Sequence, residues 1–371
     1  MLSGECIKVC DYGVNPRFLL NVASIAMARA KNDPRQQRQL GVEGFHLVAR
    51  DVTQLSRMQL NDAELARLGQ IPGAEPNESA EPPEVVFYTG CNVLKTPHIA
   101  LLALDILDAI GVSYRVLGGP SHCCGVVQTR TGDLDVGGRF GESTMDKLSL
   151  SRSGKVLAWC PTCLVQFNEF TLPNVERARG RPRPFEMTPF MIYLSSKLDR
   201  LRPLLRNPMP LRLALHRHTG VTGAMEAAAE IVSAVPGIAL IDLGQPSPGL
   251  MSNYLRALPA YKRELQRNEL EAASKAGVDA LVTVYHADHR ELCAHERDWP
   301  FEIVNVLEVV GASMGLRHED RYKRLKLMQD VDAILTDCAD LTAQHGLDPK
   351  TARLAVETML NDQPLPLVGK R

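Results

Sequence analysis

A pattern of alternating strands and helices that occurs twice is the feature that most constrains the fold of this chain. In the first occurrence, strands are predicted at 85–89, 113–117 and 155–159, with helices at 98–110 and 142–151. In the second, strands are predicted at 211–215, 238–241 and 280–284, with helices at 224–235 and 252–275. Short β-rich segments that alternate with helices indicate βαβ units and parallel sheets.

The two occurrences are related as internal repeats. Residues 185–194 and 301–310 match each other locally, and corresponding positions of the two halves lie roughly 125 residues apart. The sequence therefore predicts an α/β fold made of two pseudo-symmetric half-domains with parallel sheets, at 85–207 and 208–330. Ligands of such folds bind where the carboxyl ends of the strands open into a crevice.

Helical segments are predicted on both sides of the two half-domains. Residues 1–69 read as a helical extension with helices at 17–30 and 42–68, followed at 70–84 by a Pro-rich linker. Residues 331–371 read as a helical tail. The charge run His318–Lys326 is typical of a solvated helix face.

Composition limits the classes of function. The 371 residues carry a net charge of -1, which argues against nucleic acid as the main partner. The N-terminus lacks the pattern of a signal peptide, and the most apolar stretch, His98–Val112, contains two aspartates and is too short to span a bilayer. We therefore expect a cytoplasmic protein, in which the nine cysteines serve metal or redox chemistry rather than disulfides.

Five of these cysteines follow predicted strands at their carboxyl ends: Cys91 after the first strand, Cys123 and Cys124 after the second, and Cys160 and Cys163 after the third. Because such ends meet at one edge of a parallel sheet, the five thiols are expected to meet in one pocket. Thiolates select iron–sulfur clusters, zinc or cuprous ions, and adjacent cysteines are unusual in zinc sites. Gly90 and Gly125 would let the backbone approach a bulky cluster closely.

Three segments around these cysteines, Phe87–Cys91, His122–Gly125 and Trp159–Cys163, resemble the CCG cysteine-rich domain. That family includes the B subunits of heterodisulfide reductases and the iron–sulfur subunit of glycolate oxidase. Within it, the chain is most similar to the B-like subunits of bacterial sulfur-oxidising heterodisulfide reductase-like complexes. The resemblance covers roughly residues 84–310. It implies that Cys91, Cys123, Cys124, Cys160 and Cys163 hold one non-cubane [4Fe-4S] cluster at which disulfides are cleaved or formed.

The resemblance also implies a function and partners. The function is that of an oxidoreductase subunit of sulfur metabolism that acts on a disulfide, thiol or persulfide. The partners are a ferredoxin-like protein of the C-subunit type, a flavin-bearing protein of the A-subunit type and a lipoyl carrier protein. Two alternatives stay open: an electron-transfer subunit of a glycolate-type oxidase and a non-catalytic, zinc-stabilised scaffold. The former normally carries a ferredoxin domain at its N-terminus, where this chain has only Cys6 and Cys10.

The second half-domain has no cysteine at the equivalent positions, where the chain instead carries, in order, His218, Ser247–Gly249, His286 and His289. Together with His216, these histidines are expected to gather at the mouth of the second sheet. Imidazole suits zinc and other transition metals, and it titrates near neutrality. Three interpretations stay open: a polar remnant site, a bound metal such as zinc, and a catalytic role in proton delivery.

Overall fold

Two four-stranded parallel sheets organise the protein, as a computed structural model of the chain shows. The structure describes residues 10–71, 81–180, 182–218, 220–246 and 258–362. The first sheet contains β1 Val85–Gly90, β2 Tyr114–Gly118, β3 Lys155–Ala158 and β4 Glu186–Pro189. The second contains β5 Arg212–Leu215, β6 Ala239–Ile241, β7 Ala280–Thr283 and β8 Glu302–Asn305.

Helices precede, connect and follow the strands. Before β1 lie α1 Pro16–Lys31, α2 Pro34–Arg57 and α3 Asp62–Arg67. Within the first half lie α4 Pro97–Ala109, α5 Val126–Thr131, α6 Leu134–Ser149, α7 Pro161–Val165, α8 Leu172–Arg179, α9 Phe190–Ser196 and α10 Leu198–Leu201. The second half and the tail contain α11 Ala224–Ser233, α12 Pro259–Ala276, α13 His286–Leu292, α14 Val306–Met314, α15 Arg321–Met328, α16 Val331–Asp337, α17 Ala339–Gln344 and α18 Pro349–Asn361.

The strand order is the same in both sheets and creates a crevice in each. The orders are β2-β1-β3-β4 and β6-β5-β7-β8, with every neighbouring pair parallel. The chain leaves β1 in one direction to form β2 and returns to the other side to form β3. The connections therefore diverge at β1 and β3, and likewise at β5 and β7, which is where α/β sheets bind ligands.

The predicted α/β architecture with two parallel sheets is confirmed, although each sheet has one strand more than expected. The additional strands, β4 and β8, lie within the segments 185–194 and 301–310 that first indicated the duplication. The predicted helix at 142–151 is the end of the longer α6, and the helix predicted from 252 begins at Pro259 among the described residues.

The predicted helix at 42–68 is two helices rather than one. Asn61 begins α3 with a capping box, in which its side chain accepts a hydrogen bond from the backbone N–H of Glu64 at 3.0 Å. This cap stabilises a new helix start, so the chain turns after α2 instead of continuing. Most of the predicted linker at 70–84 lies outside the described residues.

The helices before β1 pack directly on the α/β core. Val52 of α2 and Leu65 of α3 belong to the main hydrophobic cluster, which also contains residues of both sheets. Leu55 of α2 packs in a second cluster with residues of α15 and α18. Among the described helices, none combines the length and the apolar composition needed to cross a bilayer.

Helix α4 joins the two halves of the protein. Ten of its residues are buried, so it is apolar on nearly every side, as a helix enclosed by protein must be. Its partner is α14 of the second half: a Cβ atom added to Gly311 would come within 2.8 Å of Leu102 Cδ2.

Candidate cysteine metal centre

The structure brings the five predicted cysteines to one edge of the first sheet. Cys91 directly follows β1, and Cys160 and Cys163 begin the segment after β3. Cys123 and Cys124 follow the short 3₁₀ helix Pro120–His122 after β2. Cys91 is partly exposed and the other four are buried. None of the described cysteines forms a disulfide.

The thiols lie close enough to shift one another's pKa values. Interaction with Cys123 and Cys163 holds the pKa of Cys124 well below the usual range, and interaction with Cys163 does the same for Cys160. The same neighbours raise the pKa values of Cys123 and Cys163. Burial raises the pKa of Cys91 to about 12. Three of the five thiols therefore keep their protons, which a bound metal would displace.

Backbone amides and one side chain also point at the sulfurs. The N–H of Gly125 donates to Cys123 Sγ at 3.4 Å, and Asn92 Nδ2 donates to Cys91 Sγ at 3.6 Å. Such donors favour the thiolate form, which is the form that binds metal.

Two glycines make room for the sulfurs. Gly90 has a φ of +66°, and a Cβ atom there would lie 3.1 Å from Cys163 Sγ and 3.4 Å from Cys160 Cβ. Gly125 has a φ of +80°, and its Cβ atom would overlap the carbonyl oxygen of Gly137 at 2.1 Å. Both positions combine a left-handed backbone with a close approach, so a side chain is excluded on two grounds.

The donor set fits an iron–sulfur cluster better than a single ion. A tetrahedral zinc site needs four converging ligands. Among the described residues, the ligand atoms that converge within 4.8 Å of one another belong to a different group, which contains no cysteine. Five thiols spread around one pocket suit a larger polynuclear cluster, since iron–sulfur clusters are held by cysteine thiolates.

The second half of the protein supplies one wall of this pocket. His286, the first residue of α13, lies beside Cys160 and, after Cys163, helps to lower the pKa of that thiol. Its neighbour Tyr285 packs edge-on against Trp159, with ring centroids 6.4 Å apart. His286 is buried, and its Nδ1 atom has no hydrogen-bond partner among the described residues. His286 therefore belongs to the part of the second half that lies next to the cysteines.

His216 and His218 lie further along the same buried patch. His218 packs against the Tyr285 ring at 4.7 Å, and its Nε2 lies 4.0 Å from Asp288. His216 Nε2 lies 3.9 Å from Asp288, and its Nδ1 lies 2.7 Å from Glu269. Burial disfavours a charged His216, yet Glu269 raises its pKa to about 9. Both histidines thus lie beside Asp288, and His216 also bonds with Glu269.

His289 does not join the other three histidines, which corrects the expectation of one four-histidine pocket. Its Nε2 lies 2.5 Å from Asp320, and its ring packs edge-on against His98, 5.5 Å away. Although α13 carries both His286 and His289, the ring of His289 pairs with Asp320, whereas His286 lies beside Cys160. His98, Glu308 and Asp320 are the charged or ligating residues that the sequence analysis missed.

The other segments that the sequence singled out lie outside the group of five cysteines or outside the described residues. Cys10 is partly exposed and precedes α1, whereas Cys6 and Ser247–Gly249 lie outside the described residues. The segment His318–Lys326 is not a solvated face throughout, because Asp320 and Lys326 are buried. Lys326 donates to the carbonyl oxygens of Arg290 and Asp362, and these bonds make its burial tolerable.

Comparison with known proteins gives a match to one family model and to several curated proteins. Residues 85–168 match the CCG family model, described as a cysteine-rich domain. The chain is 23% identical over 336 residues to the D subunit of the dihydromethanophenazine:CoB–CoM heterodisulfide reductase of Methanosarcina acetivorans, covering 85% of this chain and 77% of that protein. It is 22% identical over 332 residues to the corresponding protein of Methanosarcina mazei, covering 84% and 76%.

A shorter match gives the same result. The corresponding protein of Methanosarcina barkeri is 21% identical over 252 residues, which span 63% of this chain and 59% of that protein. The relatives are named as D subunits, whereas the resemblance in the sequence suggested a B subunit, which is a minor difference within the family. The chain is therefore similar to the D subunits of heterodisulfide reductases over most of its length, and its residues 85–168 match the CCG cysteine-rich domain.

Proposed function

We propose that this chain is the iron–sulfur subunit of a heterodisulfide reductase-like oxidoreductase. In this proposal, Cys91, Cys123, Cys124, Cys160 and Cys163 hold one non-cubane [4Fe-4S] cluster. The observation that carries the proposal is the meeting of all five thiols at the carboxyl ends of β1, β2 and β3. The relatives, which are heterodisulfide reductase subunits, support it independently.

The bound cluster would exchange single electrons with the substrate, giving them to a disulfide or persulfide or accepting them from a thiol. The protein's part is to bind that cluster, to exclude water and to orient the substrate. Four of the five cysteines are buried, and Tyr88 closes the floor of the pocket by donating a hydrogen bond from its hydroxyl to the His122 carbonyl oxygen at 2.6 Å. Buried thiolates beside few other charges hold a cluster in a low-dielectric setting, which tunes its reduction potential.

His286 is the residue we assign to proton handling. Reduction of a disulfide takes up two electrons and two protons, so a proton source near the cysteines is needed. His286 lies beside Cys160 from the opposite half, and its Nδ1 atom is unpartnered among the described residues. Imidazole can hold a proton near neutral pH and release it to a leaving thiolate. His216, His218 and Asp288 form a buried polar patch next to His286, and we propose that this patch orients it.

The electrons must come from other proteins of a complex, because the described residues contain one cysteine-rich centre. We propose a ferredoxin-like protein and a flavin-bearing protein as partners, and a lipoyl carrier protein as the sulfur donor. The support is the family resemblance and the fact that the relatives are named as subunits of a reductase.

Metal analysis of anaerobically purified protein tests the proposal against a zinc-stabilised scaffold. We expect about four irons with matching inorganic sulfide per chain. A Cys124→Ser variant should lose most of this iron. A Cys338→Ser variant should keep it, because Cys338 is equally buried but packs in the second hydrophobic cluster. Zinc without sulfide at the five cysteines would refute the redox function.

A further inference from the structure

Four ligating side chains from separate parts of the sequence meet in the core of the protein. They are His98 of α4, His289 of α13, Glu308 of α14 and Asp320 at the start of α15. One ligand atom from each lies within 4.8 Å of the other three. His98 Nε2 is 3.6 Å from Glu308 and its Nδ1 is 3.3 Å from Asp320. The group therefore surrounds a common point rather than forming a line of ion pairs.

His98 is the member that ordinary hydrogen bonding does not explain. Its ring is 1% exposed, and neither ring nitrogen makes a hydrogen bond among the described residues. Nearly all buried polar atoms in native proteins have a partner, so two unpartnered nitrogens on one buried ring require an explanation. A metal ion bound to one of the ring nitrogens would give that nitrogen a partner.

Contacts behind the ligands fix their orientation. Glu308 accepts a hydrogen bond from the Asn305 backbone N–H at 2.6 Å, and Asp320 accepts one from the Lys323 N–H at 2.9 Å. His289 Nδ1 lies 3.4 Å from the Thr283 hydroxyl, which leaves its Nε2 to face the group. Ligands of metal sites are characteristically oriented by such outer contacts.

The balance of charge also favours a divalent cation. Two carboxylates in the core are costly unless positive charge compensates them. Lys323 directs its ammonium to Glu296 at 2.9 Å and to the Ile303 carbonyl oxygen at 3.2 Å, so it forms no direct ion pair with either carboxylate among the described residues. One divalent ion with two neutral imidazoles and two carboxylates would make the site neutral.

We propose that His98, His289, Glu308 and Asp320 bind one zinc ion. Nitrogen and oxygen ligands in a four-coordinate set suit zinc, and two imidazoles select against magnesium and calcium. Since four protein ligands leave no open position, the ion is structural. It would tie α4 of the first half to α13, α14 and α15 of the second, and it does not depend on the proposed redox function.

Zinc K-edge absorption of the intact, cluster-loaded protein tests the site directly. We expect about one zinc per chain with nitrogen and oxygen ligands at roughly 2.0–2.2 Å and no sulfur. Zinc with sulfur ligands would place the ion at the cysteines and overturn the proposal. The absence of zinc after incubation with stoichiometric zinc and desalting would also overturn it.

Variants provide the second measurement. The double change His98→Gln and Glu308→Gln should lower zinc content roughly tenfold or more, since it removes two ligands. His318→Gln is the matched control, because His318 bonds Asp105 near the surface and should leave zinc unchanged. Cys124→Ser should also leave zinc unchanged while iron falls, which separates this proposal from that of the iron–sulfur centre. Zinc that persists in a folded double variant would refute the assignment.

Discussion

Gly90 offers a sharp test of how the first sheet accommodates a cluster. It ends β1 with a φ of +66° and lies against the sulfur of Cys163. A Gly90→Ala variant should lose stability and cluster retention together. Gly111→Ala should lose stability alone, because Gly111 has a φ of +70° with nothing within 4 Å of its would-be Cβ atom.

The loss of stability and the loss of cluster retention have separate causes, and each can be given a magnitude. The left-handed backbone costs a non-glycine residue about 1–2 kcal/mol, and this penalty is common to both variants. At Gly90 the added methyl would also lie 3.1 Å from Cys163 Sγ, so the sulfur must move by a few tenths of an ångström. Overpacking of this kind costs roughly 1–3 kcal/mol. If the moved sulfur is a cluster ligand, retention should weaken by about 5- to 150-fold.

The assay compares the two variants side by side under anaerobic conditions. Urea unfolding gives the free energy of unfolding, and iron loss in the presence of a chelator gives cluster retention. Equal iron retention in Gly90→Ala and Gly111→Ala would show that Cys163 does not bind the cluster in the observed position. A stability loss confined to Gly90→Ala would instead refute the backbone part of the reasoning.

Three further predictions concern the second half and the N-terminal helices. His286→Ala should lower disulfide turnover roughly 10²–10⁴-fold with iron content unchanged, because a proton-holding ring beside Cys160 is lost. Glu269 raises the pKa of His216 from 6.5 to about 9, so this pair should stabilise wild type by about 3 kcal/mol below pH 6.5. That contribution is lost as the pH rises through 9, and urea unfolding of wild type and Glu269→Gln across this range measures it. Leu55→Ala should cost about 2–5 kcal/mol of unfolding free energy, since Leu55 is buried, whereas Leu47→Ala at an exposed position should cost less than about 0.5.

Each of these has a result that would contradict it. Full turnover in His286→Ala would show that the His286 ring contributes to packing and not to proton transfer. A Glu269→Gln protein with the same pH dependence as wild type would remove His216 as the titrating group. A Leu55→Ala protein as stable as Leu47→Ala would show that packing of α2 on the core does not contribute to the free energy of unfolding.

The sheet strands and the meeting of the cysteines could be predicted because both depend on local patterns. The central strands are continuous apolar runs, as strands of parallel sheets buried on both faces usually are. β4 and β8 escaped prediction because they are short edge strands with mixed composition, such as Glu186–Pro189. The parallel order then places the cysteines at one edge without further information.

The group around His98 could not be predicted because it depends on distant contacts. His98 and Asp320 are more than 200 residues apart and meet only when α4 and α15 pack together. The pseudo-symmetry suggested that His289 should repeat the role of Cys163. A carboxylate in a segment without a counterpart in the first half instead determines where that ring points.

Because Cys91 is partly exposed, the cysteine pocket can be reached from solvent at this residue. Dioxygen, peroxide and alkylating reagents arrive through solvent, so they would meet Cys91 before the four buried sulfurs. Damage during handling in air should therefore begin with this residue, and the first modified peptide found by mass spectrometry should contain it. The opening that admits a sulfur substrate would be the same one that makes the protein sensitive to oxidation.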